Sequence, residues 1–213
     1  MKIEAFVVGA FQENCYLLAD EASREAVLID PGDDGERLLA AVRRSGYALT
    51  AIWLTHAHLD HVGGIAAIRR QRDVPIYLHP DDRPVYEFAP RAAAMYGLPF
   101  EQGPRPDRTL AEGDVLAVGT LAFEVWHMPG HAPGHVIFHG HGVAFGGDVL
   151  FAGSVGRTDL PLSDGVAFER TLARMTTLPP ETVVLPGHGP ETTIADELAS
   201  NPFLTGIARP VRR

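Results

Sequence analysis

The feature of this 213-residue sequence that most constrains its fold is a repeated junction, in which an apolar run ends in a glycine-containing turn that carries histidine or aspartate. The junctions are THAHLDHVGG (residues 55–64), HMPGHAPGH (127–135), AFGGDVLF (144–151) and VVLPGHGP (183–190). Short apolar runs bounded by turns are typical of strands. Because the ends of neighbouring strands lie along one edge of a sheet, we expect the polar residues of all four junctions to meet at one place.

The first junction places three histidines and an aspartate within six positions, with His56 and His58 two residues apart and Asp60 and His61 directly after them. In a helix, positions i and i+2 point in different directions, so one helical face could not collect these side chains. At a strand end, His56 and His58 share a side, and the following loop can bring Asp60 and His61 to a second point. Imidazole and carboxylate are ligands of zinc, iron and manganese, so this layout favours two metal ions over a plain polar loop.

The rest of the chain alternates between segments typical of strands and segments typical of helices. The run EAVLID is rich enough in valine, leucine and isoleucine for a strand buried on both faces. Helices are predicted at ERLLAAVRRSG, at VGGIAAIRRQ, over 81–96, near 164–176 and near 191–200, and the glycines and prolines of 97–109 predict a loop. With neither a low-complexity linker nor a short repeat, we predict one α/β domain over residues 1–213.

Composition narrows the classes of function. The longest apolar runs fall short of the roughly 18–20 residues of a membrane span, and Glu4 comes too early for a signal peptide, so we expect a cytoplasmic protein without a membrane partner. A formal net charge of −9 disfavours nucleic acid, whose binding depends on clustered basic residues. Cys15 is the single cysteine, which excludes an intrachain disulfide, and its strand-like setting predicts a buried, inert thiol.

The four junction motifs resemble those of the metallo-β-lactamase superfamily, and within it the glyoxalase II (hydroxyacylglutathione hydrolase) branch. Three further motifs, SVGRTDLP (154–161), IDPG (29–32) and NPFL (201–204), resemble a short, single-domain glyoxalase II-like group. The resemblance extends from about Phe11 to Leu204. It implies a four-layer αββα sandwich of the α/β (α+β) class, with metal ions at one edge between two sheets.

Carried over to the matching positions, the resemblance implies two metal sites that share one carboxylate. The implied ligands are His56, His58 and His131 for the first ion, Asp60, His61 and His188 for the second, and Asp148 for both. Asp60 and Asp148 are also the predicted catalytic residues. We expect two divalent ions, with zinc first and iron or manganese as alternatives, because mixed imidazole and carboxylate ligands accept all three.

Such a centre predicts hydrolysis of a thioester. Two ions about 3.5–4 Å apart can share a hydroxide, formed from a water whose pKa falls from about 15.7 to about 7. Attack of a metal-bridging hydroxide on the carbonyl of a small thioester, S-lactoylglutathione or a related molecule, is the predicted reaction. The alternative is an oxidoreductase similar to the persulfide dioxygenases, which use one iron and would need only the first site.

Substrate recognition is less defined by the sequence. Arg157 could contact a substrate carboxylate, or it could form a salt bridge with Asp159 or Asp164. The segment Tyr86–Phe100 could cover the site as a lid, or it could pack into the core. We expect His135 to support a ligand or its turn rather than to bind metal. Only 25 residues follow His188, which is too few for the helical domain that binds glutathione in two-domain glyoxalase II enzymes.

Overall fold

The computed structural model describes residues 1–212, which form two six-stranded sheets, a small hairpin and six α-helices. The strands are β1 (Lys2–Val8), β2 (Glu13–Asp20), β3 (Glu25–Ile29), β4 (Ala48–Trp53), β5 (Ile76–Leu78), β6 (Arg108–Thr109), β7 (Val115–Val118), β8 (Leu121–His127), β9 (Val136–Gly140), β10 (Val143–Gly147), β11 (Leu150–Phe151), β12 (Ser154–Val155), β13 (Val183–Pro186) and β14 (Thr192–Thr193). The helices are α1 (Gly35–Ser45), α2 (Leu59–Val62), α3 (Ile65–Arg69), α4 (Arg83–Met95), α5 (Gly165–Met175) and α6 (Ile194–Ser200).

The sheets follow chain order closely. The first sheet has the order β1-β2-β3-β4-β5-β6, and it is antiparallel through β3 and parallel from β3 onward. The second has the order β14-β13-β10-β9-β8-β7, in which β10 and β13 run parallel. The two halves of the chain therefore each build one sheet.

Three apolar clusters separate four layers. Helices α1, α3 and α4 cover the outer face of the first sheet, where Leu38 and Ile65 pack with Leu17 and Leu28. The inner faces of the two sheets meet in a second cluster that includes Trp53. A third cluster joins the outer face of the second sheet to helices α5 and α6. The architecture is thus the αββα sandwich that the motif resemblance implied.

Burial along β2 shows why its sequence carries no polar alternation. Cys15 and Leu17 face the helices, whereas Tyr16 and Leu18 face the second sheet, and all four are buried. Strand β3 behaves in the same way, so the prediction of a strand buried on both faces is confirmed. The predicted burial of Cys15 is confirmed as well.

Most predicted helices are present, with one correction. The segment VGGIAAIRRQ is not one helix, because α2 ends at Val62 and α3 begins at Ile65. A Cβ on Gly63 would lie 2.5 Å from the Gly32 carbonyl oxygen, so the chain turns where glycine permits close backbone approach. The predicted loop 97–109 is also shorter in the structure than in the prediction, because its last two residues form strand β6. Within residues 1–212, none of the helices has the length and apolar character of a membrane span.

Asn201, the first residue of the NPFL motif, fastens the β11–β12 hairpin to the end of α6. Its Nδ2 donates to the carbonyl oxygens of Phe151 (3.4 Å) and Ser154 (3.0 Å) and to Oε2 of Glu197 (2.7 Å). The Asn201 side chain is fully buried. Its removal would therefore take one donor from three acceptors, of which the Glu197 carboxylate is buried and the two carbonyl oxygens are partly buried.

We expect Asn201→Ala to lower the free energy of unfolding by about 2–4 kcal/mol, because one buried and two partly buried hydrogen bonds are lost together. Urea denaturation of the purified protein measures the change. Ser200→Ala is the matched control, since its hydroxyl is exposed and bonds the Asp196 carbonyl. Equal stability of the two variants would show that the amide does not anchor the hairpin.

Candidate metal centre

The structure brings all seven predicted ligand positions together at one end of the sandwich. They come from four segments that follow strands β4, β8, β10 and β13. The segment after β4 supplies His56, His58, Asp60 and His61, and the other three supply His131, Asp148 and His188 in turn. Both sheets therefore contribute to one cluster.

Two glycines allow these segments to approach one another. A Cβ on Gly32 of the IDPG motif would lie 1.6 Å from the carbonyl oxygen of Asp60. A Cβ on Gly187 would lie 2.3 Å from Oδ1 of Asp148 and 2.7 Å from Cε1 of His61. Only a residue without a side chain fits at either position, so glycine is required at both.

The cluster divides into two groups of three. His56, His58 and His131 each offer a ring nitrogen within 4.8 Å of the others. Asp60, His61 and His188 do the same with one carboxylate oxygen and two ring nitrogens, and Nε2 of His188 lies 3.3 Å from Oδ2 of Asp60. Either group has the donor types and the spacing to hold a divalent ion.

Asp148 lies between the two groups. Its Oδ2 is 3.4 Å from Nε2 of His131 and 3.7 Å from Nε2 of His188, and its Oδ1 is 3.5 Å from Nε2 of His61. A single carboxylate thus faces one member of the first group and two of the second. This is the geometry needed for a ligand shared by two ions.

Unpartnered buried atoms show that the residues fit such ions. Within residues 1–212, Nε2 of His56, Nε2 of His61 and Oδ1 of Asp148 are buried and make no hydrogen bond. A buried polar atom without a partner costs about 1–3 kcal/mol. Metal coordination would satisfy all three atoms, and each belongs to a different part of the predicted ligand set.

The chain fixes which ring nitrogen of His56 and His61 carries the proton. The Thr55 hydroxyl donates to Oδ2 of Asp30 (2.5 Å), so it accepts from Nδ1 of His56 (3.0 Å). The same Asp30 oxygen lies 3.1 Å from Nδ1 of His61 and accepts a hydrogen bond from it. The His56 ring therefore presents an unprotonated Nε2 to the cluster. At His61, burial would lower the pKa, but the Asp148 carboxylate outweighs burial and raises the pKa above its usual value. Metal binding would displace the proton on Nε2 of His61 and leave the one that Asp30 holds on Nδ1.

His131 and His58 are oriented by similar means. Nδ1 of His131 donates to the carbonyl oxygen of Arg157 (2.8 Å), which leaves Nε2 as its lone-pair atom. That Nε2 faces Nδ1 of His58 at 2.9 Å. The first group therefore directs nitrogen atoms from both rings toward one point.

Burial and mutual proximity keep the first group uncharged. Burial lowers the pKa of His58 to about 3, and the neighbouring His131 acts in the same direction. Burial likewise lowers the pKa of His56 and of His131. At Asp148, burial would raise the pKa, but His61 and other histidines outweigh it and lower the pKa below its usual value. Neutral imidazoles beside an ionised carboxylate are the protonation states that bind metal.

His135 lies beside the ligand groups without joining them. Its Nε2 accepts a hydrogen bond from the backbone N–H of Asp148 (3.0 Å), and its ring stacks on His56 at 4.7 Å between centroids. This position is compatible with the expected supporting role. His135 would hold the Asp148 backbone in place, and the His135 ring would also pack against the ring of His56.

We expect His135→Phe to weaken metal binding by about tenfold, the lower end of the effect of losing a group that orients a ligand. The phenyl ring keeps the stacking but cannot accept the Asp148 N–H. Competition with a chromophoric chelator measures the affinity. His141→Phe is the control, because His141 accepts a backbone N–H in the same way on the exposed β9–β10 turn. If His135→Phe binds metal with wild-type affinity, His135 does not support the ligands.

Arg157 forms the salt bridge that the sequence offered as one alternative. Its Nε and Nη2 donate to the two carboxylate oxygens of Asp159, at 2.6 and 2.7 Å. The hydrogen bond to Asp159 raises the pKa of Arg157 above its usual value. The side chain also lines the cavity over the ligand groups. A contact between Arg157 and a substrate stays a prediction.

Sequence reasoning missed several residues around the ligands. Asp30 was noted in the IDPG motif without a role, and Thr55 stands directly before the first histidine. Asp82 is buried and accepts from the backbone N–H groups of Ala57 (2.7 Å) and Gly134 (2.6 Å), so it ties two ligand loops together. A signal existed for Asp30, which follows a buried strand and precedes a glycine turn. Asp82 lies in an ordinary polar stretch that gives no signal.

Comparisons with known proteins agree with this geometry. A family model described as the metallo-beta-lactamase superfamily matches residues 8–188. Hydroxyacylglutathione hydrolase GloC of Haemophilus influenzae is 40% identical over 212 residues, covering 96% of this chain and 98% of that protein. The solved structure of TTHA1623 in a di-iron-bound form has a TM-score of 0.88 and 48% identity, covering 94% of this chain and 100% of that one. ETHE1 from Myxococcus xanthus has a TM-score of 0.81 and 29% identity, covering 97% and 85%.

The chain belongs to the metallo-β-lactamase superfamily. Its similarity to a protein named hydroxyacylglutathione hydrolase agrees with the glyoxalase II-like group that the motifs indicated. The family and the relatives' names together support a metal-dependent hydrolase.

Proposed function

We propose that this protein is a hydrolase that holds two divalent metal ions and cleaves a small thioester, S-lactoylglutathione or a related molecule. The observation that carries the proposal is the position of Asp148, whose two oxygens face both ligand groups at 3.4–3.7 Å. His56, His58 and His131 would hold one ion, Asp60, His61 and His188 the other, and Asp148 both.

Bound ions would supply Lewis acidity, which activates a water molecule and polarises the thioester carbonyl. The chain's own residues place and orient the ligands for this work. Asp30 and Thr55 hold the protons of His61 and His56 on Nδ1, away from the ligand cluster. A thiol has a pKa of about 8.5, so the leaving group departs as a thiolate and needs little help from a proton donor.

Two findings support parts of this proposal. The relative named hydroxyacylglutathione hydrolase supports a thioester substrate, and the di-iron form of TTHA1623 supports a centre with two metal ions. Zinc is the metal we propose first, and iron and manganese are the alternatives because the ligand set accepts each of them. A small molecule is the proposed partner, in keeping with a cavity of about 710 Å³ over the ligands.

The experiment is elemental analysis of protein purified without added metal, followed by measurement of thiol release from a panel of thioesters. We expect about two equivalents of metal per chain and hydrolysis that a chelator abolishes. Buried Cys15 would not contribute thiol signal from the folded protein. Failure of the metal-loaded protein to cleave any thioester would overturn the proposal. One equivalent of iron, with oxygen uptake on a persulfide, would replace it with the dioxygenase alternative.

A further inference from the structure

A cavity of about 710 Å³ opens over the metal-ligand cluster. Its floor contains five of the seven candidate ligands, which are His58, Asp60, His131, Asp148 and His188. Anything that fills this space is therefore adjacent to the place where the reaction would occur. The chemistry of the cavity walls should decide which substrates the protein accepts.

One wall is a single apolar face of α4. The α4 residues that line it recur at each turn of the helix, so they share one side, and they are Pro84, Val85, Phe88, Ala89, Ala92 and Met95. Val85 and Ala89 also belong to the core under the helix, so this face is anchored from behind. In the segment Tyr86–Phe100, Tyr86 and Ala89 pack into the core, and Phe88, Ala92 and Met95 line the cavity. A role of this segment as a lid stays a prediction.

A second wall is mostly apolar. It comes from the segment that follows Asp148, and its members are Phe151, Val155, Leu160, Pro161 and Leu162, together with Ser154 and Arg157. At the mouth, Met95 is 74% exposed and Leu162 is 59% exposed. Facing apolar side chains that remain open to solvent above a polar floor are typical of a binding surface for an apolar group.

Charge recognition in the cavity is weak. Apart from the candidate ligands, Arg157 is the one charged residue among those that line the cavity within residues 1–212. Its Nε and Nη2 form a two-point ion pair with Asp159, which offsets the Arg157 charge. A glutathione thioester would bring two carboxylates and an ammonium group into this space. Besides the ligand cluster, the cavity lining would offer those charges one cation that is already paired, so their loss of water would be poorly compensated.

We propose that the preferred substrate is a thioester whose acyl group is an uncharged, apolar chain that lies against α4, rather than a glutathione conjugate. This inference rests on the proposed thioester hydrolysis and specifies its substrate class. The apolar walls bind the chain, and the ligand cluster lies beneath the carbonyl. Selectivity among thioesters then comes from burial of the hydrocarbon acyl chain and not from recognition of the charged groups of glutathione.

The test is a series of acetyl, butanoyl and hexanoyl thioesters of N-acetylcysteamine, compared with S-lactoylglutathione on the metal-containing protein. We expect kcat/KM to rise by about fourfold for each methylene that enters the cavity, the equivalent of burying that group. Hexanoyl should exceed S-lactoylglutathione. A flat series, or S-lactoylglutathione as the best substrate, would overturn this inference and leave thioester hydrolysis standing. Absence of hydrolysis for every member would overturn the proposed function itself.

A pair of variants tests where the chain binds. Ala92→Trp fills the α4 side of the cavity and should remove the advantage of hexanoyl over acetyl. Ala94→Trp, two residues along the same helix, makes the same change at an exposed position outside the cavity lining and should leave the series unchanged. Metal content and thermal unfolding of both variants report whether the fold is intact. If Ala92→Trp retains both the fold and the full hexanoyl preference, the chain does not lie against α4.

Discussion

Replacing Asp148 with asparagine is expected to reduce metal content and to lower kcat/KM for thioester hydrolysis by about 10²–10⁴-fold. Among the carboxylates of residues 1–212, Asp148 alone lies within 4.0 Å of ring nitrogens from both ligand groups, at 3.4–3.7 Å. Removing one partner from a buried set of charges costs about 3–5 kcal/mol, and each 1.36 kcal/mol corresponds to about tenfold. Asparagine preserves the side-chain shape, so the loss reports the missing charge.

Two measurements separate the parts of this effect. Elemental analysis counts the ions that remain, and thiol release gives the rate of hydrolysis. Asp73→Asn is the control, because it makes the same change at a carboxylate that is 97% exposed and paired with Arg69. Full activity and two equivalents of metal in Asp148→Asn would refute the assignment of Asp148 as a shared ligand.

Replacing Asp30 with asparagine should weaken metal binding by about 10–100-fold, although Asp30 belongs to neither proposed site. Its Oδ2 accepts from the Thr55 hydroxyl and from Nδ1 of His61. An amide nitrogen in that place would donate rather than accept, so the His61 proton would move to the Nε2 atom needed for the metal. Asp30 has φ of 48°, a left-handed conformation that asparagine also tolerates, so the backbone is expected to persist.

Glu13 provides the comparison for Asp30. Its side chain is 1% exposed, and Oε1 lies 3.7 Å from the same Nδ1 of His61, which is too long for a hydrogen bond. Glu13→Gln should therefore affect metal affinity far less than Asp30→Asn when both are measured by chelator competition. Equal losses in the two variants would mean that charge near His61, and not the hydrogen bond from its Nδ1, governs affinity.

The seven ligand positions could be predicted because the four junctions, where histidine or aspartate follows an apolar strand, resemble the motifs of a known superfamily. The αββα fold was implied by the same resemblance. The role of Asp30 could be recognised only once the strand order was known. Strand β4 pairs in parallel with β3, so the ends of IDPG and THAH lie side by side and Thr55 can donate to Asp30.

Other features depended on tertiary structure that the sequence does not encode locally. The break between α2 and α3 results from backbone contact with Gly32, which lies about thirty residues earlier in the chain. Asp82 binds two loops from different halves of the molecule. For Arg157, two acceptable partners stood nearby in sequence, and only the fold selects Asp159.

The division of the ligands between two sheets has a consequence for the lifetime of the protein. One end of the sandwich is tied by Asp20, whose Oδ2 accepts from the N–H and hydroxyl of Thr120. At the other end, the proposed ions would link the two sheets, because each sheet supplies ligands. An ion that binds only the folded chain adds about 2.7 kcal/mol of stability at a free concentration of 100 Kd. Loss of the ions would then destabilise the folded chain and make it easier to degrade.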